Sequence, residues 1–168
     1  ITVQYEGFDE FLKTFISAFE FVNSTFTLSF IERIGLRYVN AVYPASGLDI
    51  YQYLNPALHG LGSIVGGDMG HSFCETLMMI GDVRVLSRVM ILNGQTGVPA
   101  DLAPITLALP ESITSQHGRH MVLDTDGFIQ LREEVNISSI GEKIVNIHSV
   151  TSKVFKTTVT KLALEEWE

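Results

Sequence analysis

The chain predicts an α+β fold: a mostly antiparallel sheet with helices packed on one face and a long C-terminal helix. Three patterns carry that expectation. Phe73 to Ile80 and Val83 to Leu92 are β-prone runs joined by Gly81-Asp82, a two-residue connection whose leading glycine suits a type II′ hairpin. Phe30, Ile34, Leu36 and Tyr38 alternate with Arg33, Gly35 and Arg37, which predicts a strand with one packed and one polar face. Two further segments place apolar residues three and four apart, the period of a helix that buries one side.

Ile1 to Tyr5 is a short β-prone run. Asp9 is placed to cap a helix in which Phe11, Leu12, Phe15, Ile16, Phe19, Val22 and Phe26 face a core. The arginine-bearing strand follows from Leu28 to Tyr43 and stops at Pro44 and the Ser46-Gly47 turn. Asp49 then caps a short helix through Leu54, which Asn55-Pro56 breaks. Ala57 to Gly70 holds five glycines and reads as a loop able to move over a neighbouring surface. After the hairpin, Asn93 to Ala103 is turn-rich, Pro104 to Leu109 is a shorter strand, and Arg119 to Gln130 a longer one. Ser139 with Glu142 predicts a capping box opening a helix to Leu164, with Ile140, Ile144, Ile147, Thr151, Val154, Phe155, Val159 and Leu162 along one side.

The 168 residues, 46% hydrophobic and 18% charged, suit one domain with a substantial core and exclude disorder as a description of the whole. A net charge of −8, from 19 acids against 11 Lys and Arg, opposes phosphate backbones and anionic lipid surfaces, so neither nucleic acid nor membrane is an expected partner. Apolar runs such as Thr76 to Ile80 are far too short to cross a bilayer. Cys74 is the only cysteine, so no internal disulfide forms and a reducing cytoplasmic setting is expected.

The segment Glu32-Arg33-Ile34-Gly35-Leu36-Arg37-Tyr38-Val39-Asn40 is followed by Val122-Leu123-Asp124-Thr125-Asp126-Gly127-Phe128, then by Ile147-His148 with Phe155 and Val159-Thr160. In that order they resemble a sporadically distributed bacterial family of uncharacterised proteins. The resemblance spans nearly the whole chain, and its motifs are structural rather than catalytic. Because such proteins carry further strands before this region, it implies that residues 1–168 form a single α+β domain at the C-terminal end of a longer protein.

Arg33 and Arg37 share one strand face, and Arg84 and Arg88 share a face of another. Two guanidinium pairs could therefore line a surface for carboxylate or phosphate, with Gly35 leaving room for a ligand or a neighbouring chain. The alternative is a set of cross-strand ion pairs to Asp124 and Asp126, or to Glu32 and Glu75. Asp124 and Asp126 could also serve as an acid/base pair or hold a divalent metal, but no third ligand is in view. His71 and Cys74, three apart on a strand, face opposite ways; His117 and His120 read as exposed turn histidines. His148 lies at the edge of the apolar face of the last helix. The Gly60 to Gly70 loop lacks a Walker Lys-Ser/Thr pair, so no phosphate cradle, cofactor or metal is expected.

No nucleophile–base arrangement can be assembled, and the leading expectation is a non-catalytic binding or regulatory domain whose partner is another protein or a small anionic ligand. Two other readings stay open. One is an enzyme on an anionic small molecule, with Arg33, Arg37, Arg84 and Arg88 holding charge and Asp124, Asp126 or His148 moving protons. The other is a carrier of an apolar ligand between sheet and helix. A free sheet edge would favour a homo-oligomer.

Overall fold

The computed structural model describes residues 5–96, 99, 101–102 and 109–167. Its helices are α1 (Phe8–Phe26), α2 (Gly62–Val65), α3 (Glu111–Thr114), α4 (Ile137–Thr158) and α5 (Lys161–Trp167), with 3-10 turns at Ile50–Gln52 and Pro56–Leu58. The strands are β1 (Phe30–Val42), β2 (Ser72–Ile80), β3 (Val83–Gln95) and β4 (His117–Glu134). They form one antiparallel sheet in the order β1-β4-β3-β2, so β1 and β2 are its edges. The fold is α+β, and the hairpin turns at Gly81, whose φ of 62° is the left-handed value a glycine supplies there. The expected strand from Pro104 to Leu109 lies outside the described residues, apart from Leu109 itself.

Strand parity gives each face its character. Ile34 and Leu36 of β1, Val83 and Val85 of β3, and Ile129 of β4 join Ile140, Ile144, Ile147 and Val154 of α4 in one apolar core. Val89, Ile91, Met121 and Leu123 extend the same face to Ile50, Tyr53, Leu54 and Ala163. Helix α4 rests directly on the sheet at Gly127, where a Cβ would meet Thr151 Cγ2 at 2.4 Å and Ile147 Cγ2 at 2.9 Å. The contact closes the interior between helix and sheet at that point.

Several boundaries differ from the sequence reading, each for a local reason. Helix α1 begins at Phe8 behind Gly7, which offers no side-chain cap, and Asp9 sits inside the first turn rather than capping it. The expected Ser139–Glu142 box is replaced by Asn136, whose side chain accepts from the Ser139 amide at 3.0 Å. The final helix does not run through to Leu164. It stops at Thr158, where Val159 pairs with Leu54 and Thr160 N donates to Tyr53 O, and α5 starts afresh. The β-branched run Thr157 to Thr160 suits this extended step better than a helix interior.

Phe30, expected beside Ile34, is instead 54% exposed, because a bulge between Ile31 and Arg33 reverses the alternation. Val22 and Phe26 are also in solvent rather than in the core. Helix α1 runs antiparallel to α4, with Phe8 on His148 and Ile16 near Gly141, so its last turns pass the start of α4 and find no cover among the described residues. The glycine-rich loop contains α2 and leaves Leu61, Ile64 and Val65 exposed.

Gly127→Val should destabilise the protein by about 1–3 kcal/mol or displace α4, because the space a side chain needs is already filled. Urea denaturation followed by circular dichroism measures this.

Candidate functional site

The six sheet residues singled out in the sequence, Arg33, Arg37, Arg84, Arg88, Asp124 and Asp126, lie together on the face that neither long helix covers. The ladder sets Arg37 opposite Asp126 and Arg88 opposite Asp124, while Arg84 faces Phe128 and Arg33 faces Gln130. His148 is not part of this face. It sits on α4, behind the sheet.

Asp124 is completely buried, and its carboxylate is held from both neighbouring strands. Arg37 grips it with Nε to Oδ1 and Nη2 to Oδ2, both at 2.7 Å, and Arg88 Nη1 reaches Oδ2 at 3.1 Å. The chain of charges continues outward, from Arg88 Nε to Glu75 at 2.8 Å and from Arg37 Nη1 to Asp101 at 2.5 Å. Hydrogen bonds to Asp124, and then to Asp101, hold the Arg37 guanidinium well above its ordinary range. Glu75 first, and Asp124 after burial's opposing effect, raise Arg88. Arg37 in turn keeps the Asp101 carboxyl below the usual carboxylate range. This set is a salt ladder, with both guanidinium forks committed inside the protein.

The other end of the face is less committed. Arg33 lies over the Phe128 ring at 4.4 Å and meets Asp126 at 3.3 Å, with its side chain 52% exposed. Its Cζ is 3.5 Å from where a Gly35 Cβ would stand, so the room at Gly35 is taken by Arg33 itself. Arg84 is exposed and donates to the neutral Gln130 Oε1 at 2.6 Å. Beside these arginines Leu77 and Met79 are 65% and 63% exposed. An exposed cationic and apolar surface results, next to an ion-paired ladder.

On the far side of the sheet, His148 stacks on Phe8 with ring centres 3.7 Å apart, and its Nδ1 meets Tyr38 Oη at 2.9 Å. Burial lowers the imidazole below its ordinary value of 6.5, partly opposed by Asp9 and reinforced by Lys156. Burial, and then a hydrogen bond with Tyr5, push the Tyr38 phenol up. The pair borders an open groove of about 1040 Å³ between the start of α1 and α4, with Ser149, Ser152, Lys153 and Lys156 on its wall. The sequence hid this pairing because Tyr38 and His148 are separated by 110 positions.

His71 is exposed, and Cys74 is a partly buried apolar contact of the core. His117 is exposed, but His120 corrects the expectation of a turn histidine. It is fully buried against Tyr43, with ring centres 4.9 Å apart, because β4 already begins at His117. Its Nε2 has no hydrogen-bond partner among the described residues. Among those residues, no group of three or more His, Cys, Asp or Glu is placed to hold a metal, and no helix is long and apolar enough to cross a membrane. Comparison with protein-family models, curated proteins and solved structures finds no match.

Asp124→Ala should cost about 3–5 kcal/mol, because it removes the buried carboxylate on which two arginines end, whereas Asp101→Asn at the exposed rim should cost under about 1 kcal/mol. Paired urea titrations separate the two. His148 binds a proton less readily folded than unfolded, so its contribution to stability is present above pH ~6.5 and is lost as pH falls toward its lower folded value. In His148→Gln that loss should shrink, read from unfolding midpoints between neutral and mildly acidic pH.

Proposed function

We propose that the chain is a non-catalytic binding domain that takes an acidic segment of a partner protein on the uncovered face of its sheet. Arg33 and Arg84 are the anion contacts, and Phe128, Leu77 and Met79 the apolar floor between and beside them. The observation that carries the reading is the split within the arginine set. Arg37 and Arg88 both end on the buried Asp124, while Arg84 is exposed with only a neutral partner and Arg33 is half-exposed with a single carboxylate at 3.3 Å.

Free guanidinium edges beside exposed apolar side chains suit a partner that brings carboxylates and large side chains together. The proton-transfer reading has less support. Asp124 is fixed by two cations, and His148 is on the opposite side of the sheet, so those groups do not converge on one reacting centre. The direct seat of α4 on Gly127 likewise favours the open face over the helix–sheet interior as the place for a ligand.

The test is an array of defined acidic, basic and neutral peptides, each with and without aromatic residues, probed with wild type and with Arg33→Ala/Arg84→Ala. Acidic-aromatic peptides should bind best, and the double variant should lose about tenfold or more while keeping its melting temperature. Binding indifferent to peptide charge, or unchanged in the double variant, would sink the proposal. Competition by citrate but by no peptide would point to a small anion instead.

A further inference from the structure

We infer that the chain forms a two-fold dimer through its β2 edge, strand Ser72–Ile80 pairing antiparallel with the same strand of a second copy about Thr76. The inference concerns the edge of the sheet and does not rest on the binding reading of its face, although Leu77 and Met79 enter both. It begins from a contrast between the two edges. A free strand edge exposes unpaired amides and carbonyls, and proteins that stay monomeric guard such edges with bulges, charges or proline.

Strand β1 is guarded: it carries a bulge between Ile31 and Arg33 and the charged residues Glu32, Arg33 and Arg37. Strand β2 is not. It pairs with β3 in unbroken register from Ser72 to Ile80, and it contains no proline, lysine or arginine. Its one charged residue, Glu75, is held by Arg88 at 2.8 Å. Phe73, Leu77 and Met79 stand 57%, 65% and 63% exposed along it.

The strand is complementary to itself. Pairing over its full nine residues centres on Thr76 and sets Ser72 against Ile80, Phe73 against Met79, Cys74 against Met78, and Glu75 against Leu77. Every pair keeps both members on one face, as antiparallel partners require. Phe73 and Met79 then make a sulfur–aromatic pair twice, and Thr76 meets Thr76, a favourable cross-strand match. Centring on Glu75 would oppose two carboxylates, and centring on Leu77 would push Phe73 beyond the strand onto Gly81.

Each copy carries a net charge of −8, which opposes association, but no like charges face each other directly at this edge. The loop ahead of β2 lies against its start, a Cβ at Gly60 being 2.6 Å from Ser72 Oγ, and it keeps Leu61, Ile64 and Val65 in solvent. In the dimer those side chains sit at the end of the ladder, beside the partner's hairpin turn.

Directly opposed residues in an antiparallel pair have Cα atoms about 4.5–5.5 Å apart, inside the span of a disulfide. Cys74→Ser/Thr76→Cys should therefore cross-link to a covalent dimer under mild oxidation, while Cys74→Ser/Ser149→Cys, with its thiol on α4, should not. Light scattering over a concentration series should show wild type and Arg33→Ala/Arg84→Ala as dimers and Leu77→Lys as a folded monomer by circular dichroism. A monomer at every concentration overturns the inference. So does a dimer that survives Leu77→Lys, or one that cross-links at residue 76 no faster than at 149. A wild-type dimer that binds none of the peptides would count against the face reading alone.

Discussion

A carboxylate with no exposed surface, on a sheet face that neither long helix covers, has to be neutralised by its own neighbours. Asp124 meets that requirement with Arg37 from one adjacent strand and Arg88 from the other, so three of the four strands are tied at one point. Glu75 extends the tie to the fourth, because Arg88 holds it as well. The ladder therefore acts across the strands, along the direction in which their backbone hydrogen bonds also run. Register follows from the same contacts. A slip of one residue in β4 would turn Asp124 into the apolar core and Leu123 into the ladder.

The opposite face is organised by shape rather than charge. Gly127 is two pairs along the strand from Thr125 and admits Ile147 and Thr151 of α4 against the backbone itself, which sets how closely the helix approaches. Once α4 is seated, α1 can use only the length of α4 that remains beside it. That explains why Phe8 to Phe19 pack while Val22 and Phe26 do not. Tyr38 and His148 join the edge of the sheet to both helices in one contact, with Phe8 stacked above the imidazole. Strand β1, strand β4 and helix α4 are thus neighbours in space.

Much of this could be read from the chain because it follows local rules. Alternation in Ile34, Leu36 and Tyr38, the Gly81-Asp82 turn and the helical spacing of Ile140, Ile144 and Ile147 all express periodicities of two or 3.6. What could not be read depends on events outside the local window. The bulge at Ile31/Arg33 moved Phe30 to the other face, and the pairing of Val159 with Leu54 cut the last helix in two. Parity alone set Arg33 with Arg37 and Asp124 with Asp126, but that the two pairs meet on one surface depends on the pairing of β1 with β4. Which arginine takes which acid was not legible either, because Arg37 passes over its direct partner Asp126 and closes on Asp124. The buried His120 and the Tyr38–His148 pair left no sequence signal, since neither makes a recognisable spacing with its partner.

The division of the arginines bears on function through the dielectric that each one experiences. A guanidinium locked on a buried carboxylate has its fork occupied and its charge cancelled, so a ligand would have to break two short hydrogen bonds to gain it. Arg84, opposite Phe128 and bonded to an uncharged amide, keeps an uncancelled charge at the surface, and Arg33 keeps part of its edge free above the same ring. An incoming carboxylate there gains charge-assisted hydrogen bonds without leaving a buried charge behind. Its apolar neighbours can at the same time cover Leu77 and Met79. The same sheet face therefore has one end built to hold the fold and another end to which the proposed binding role is assigned. The buried Asp124 serves both ends, because it fixes the strands on which Arg33 and Arg84 stand.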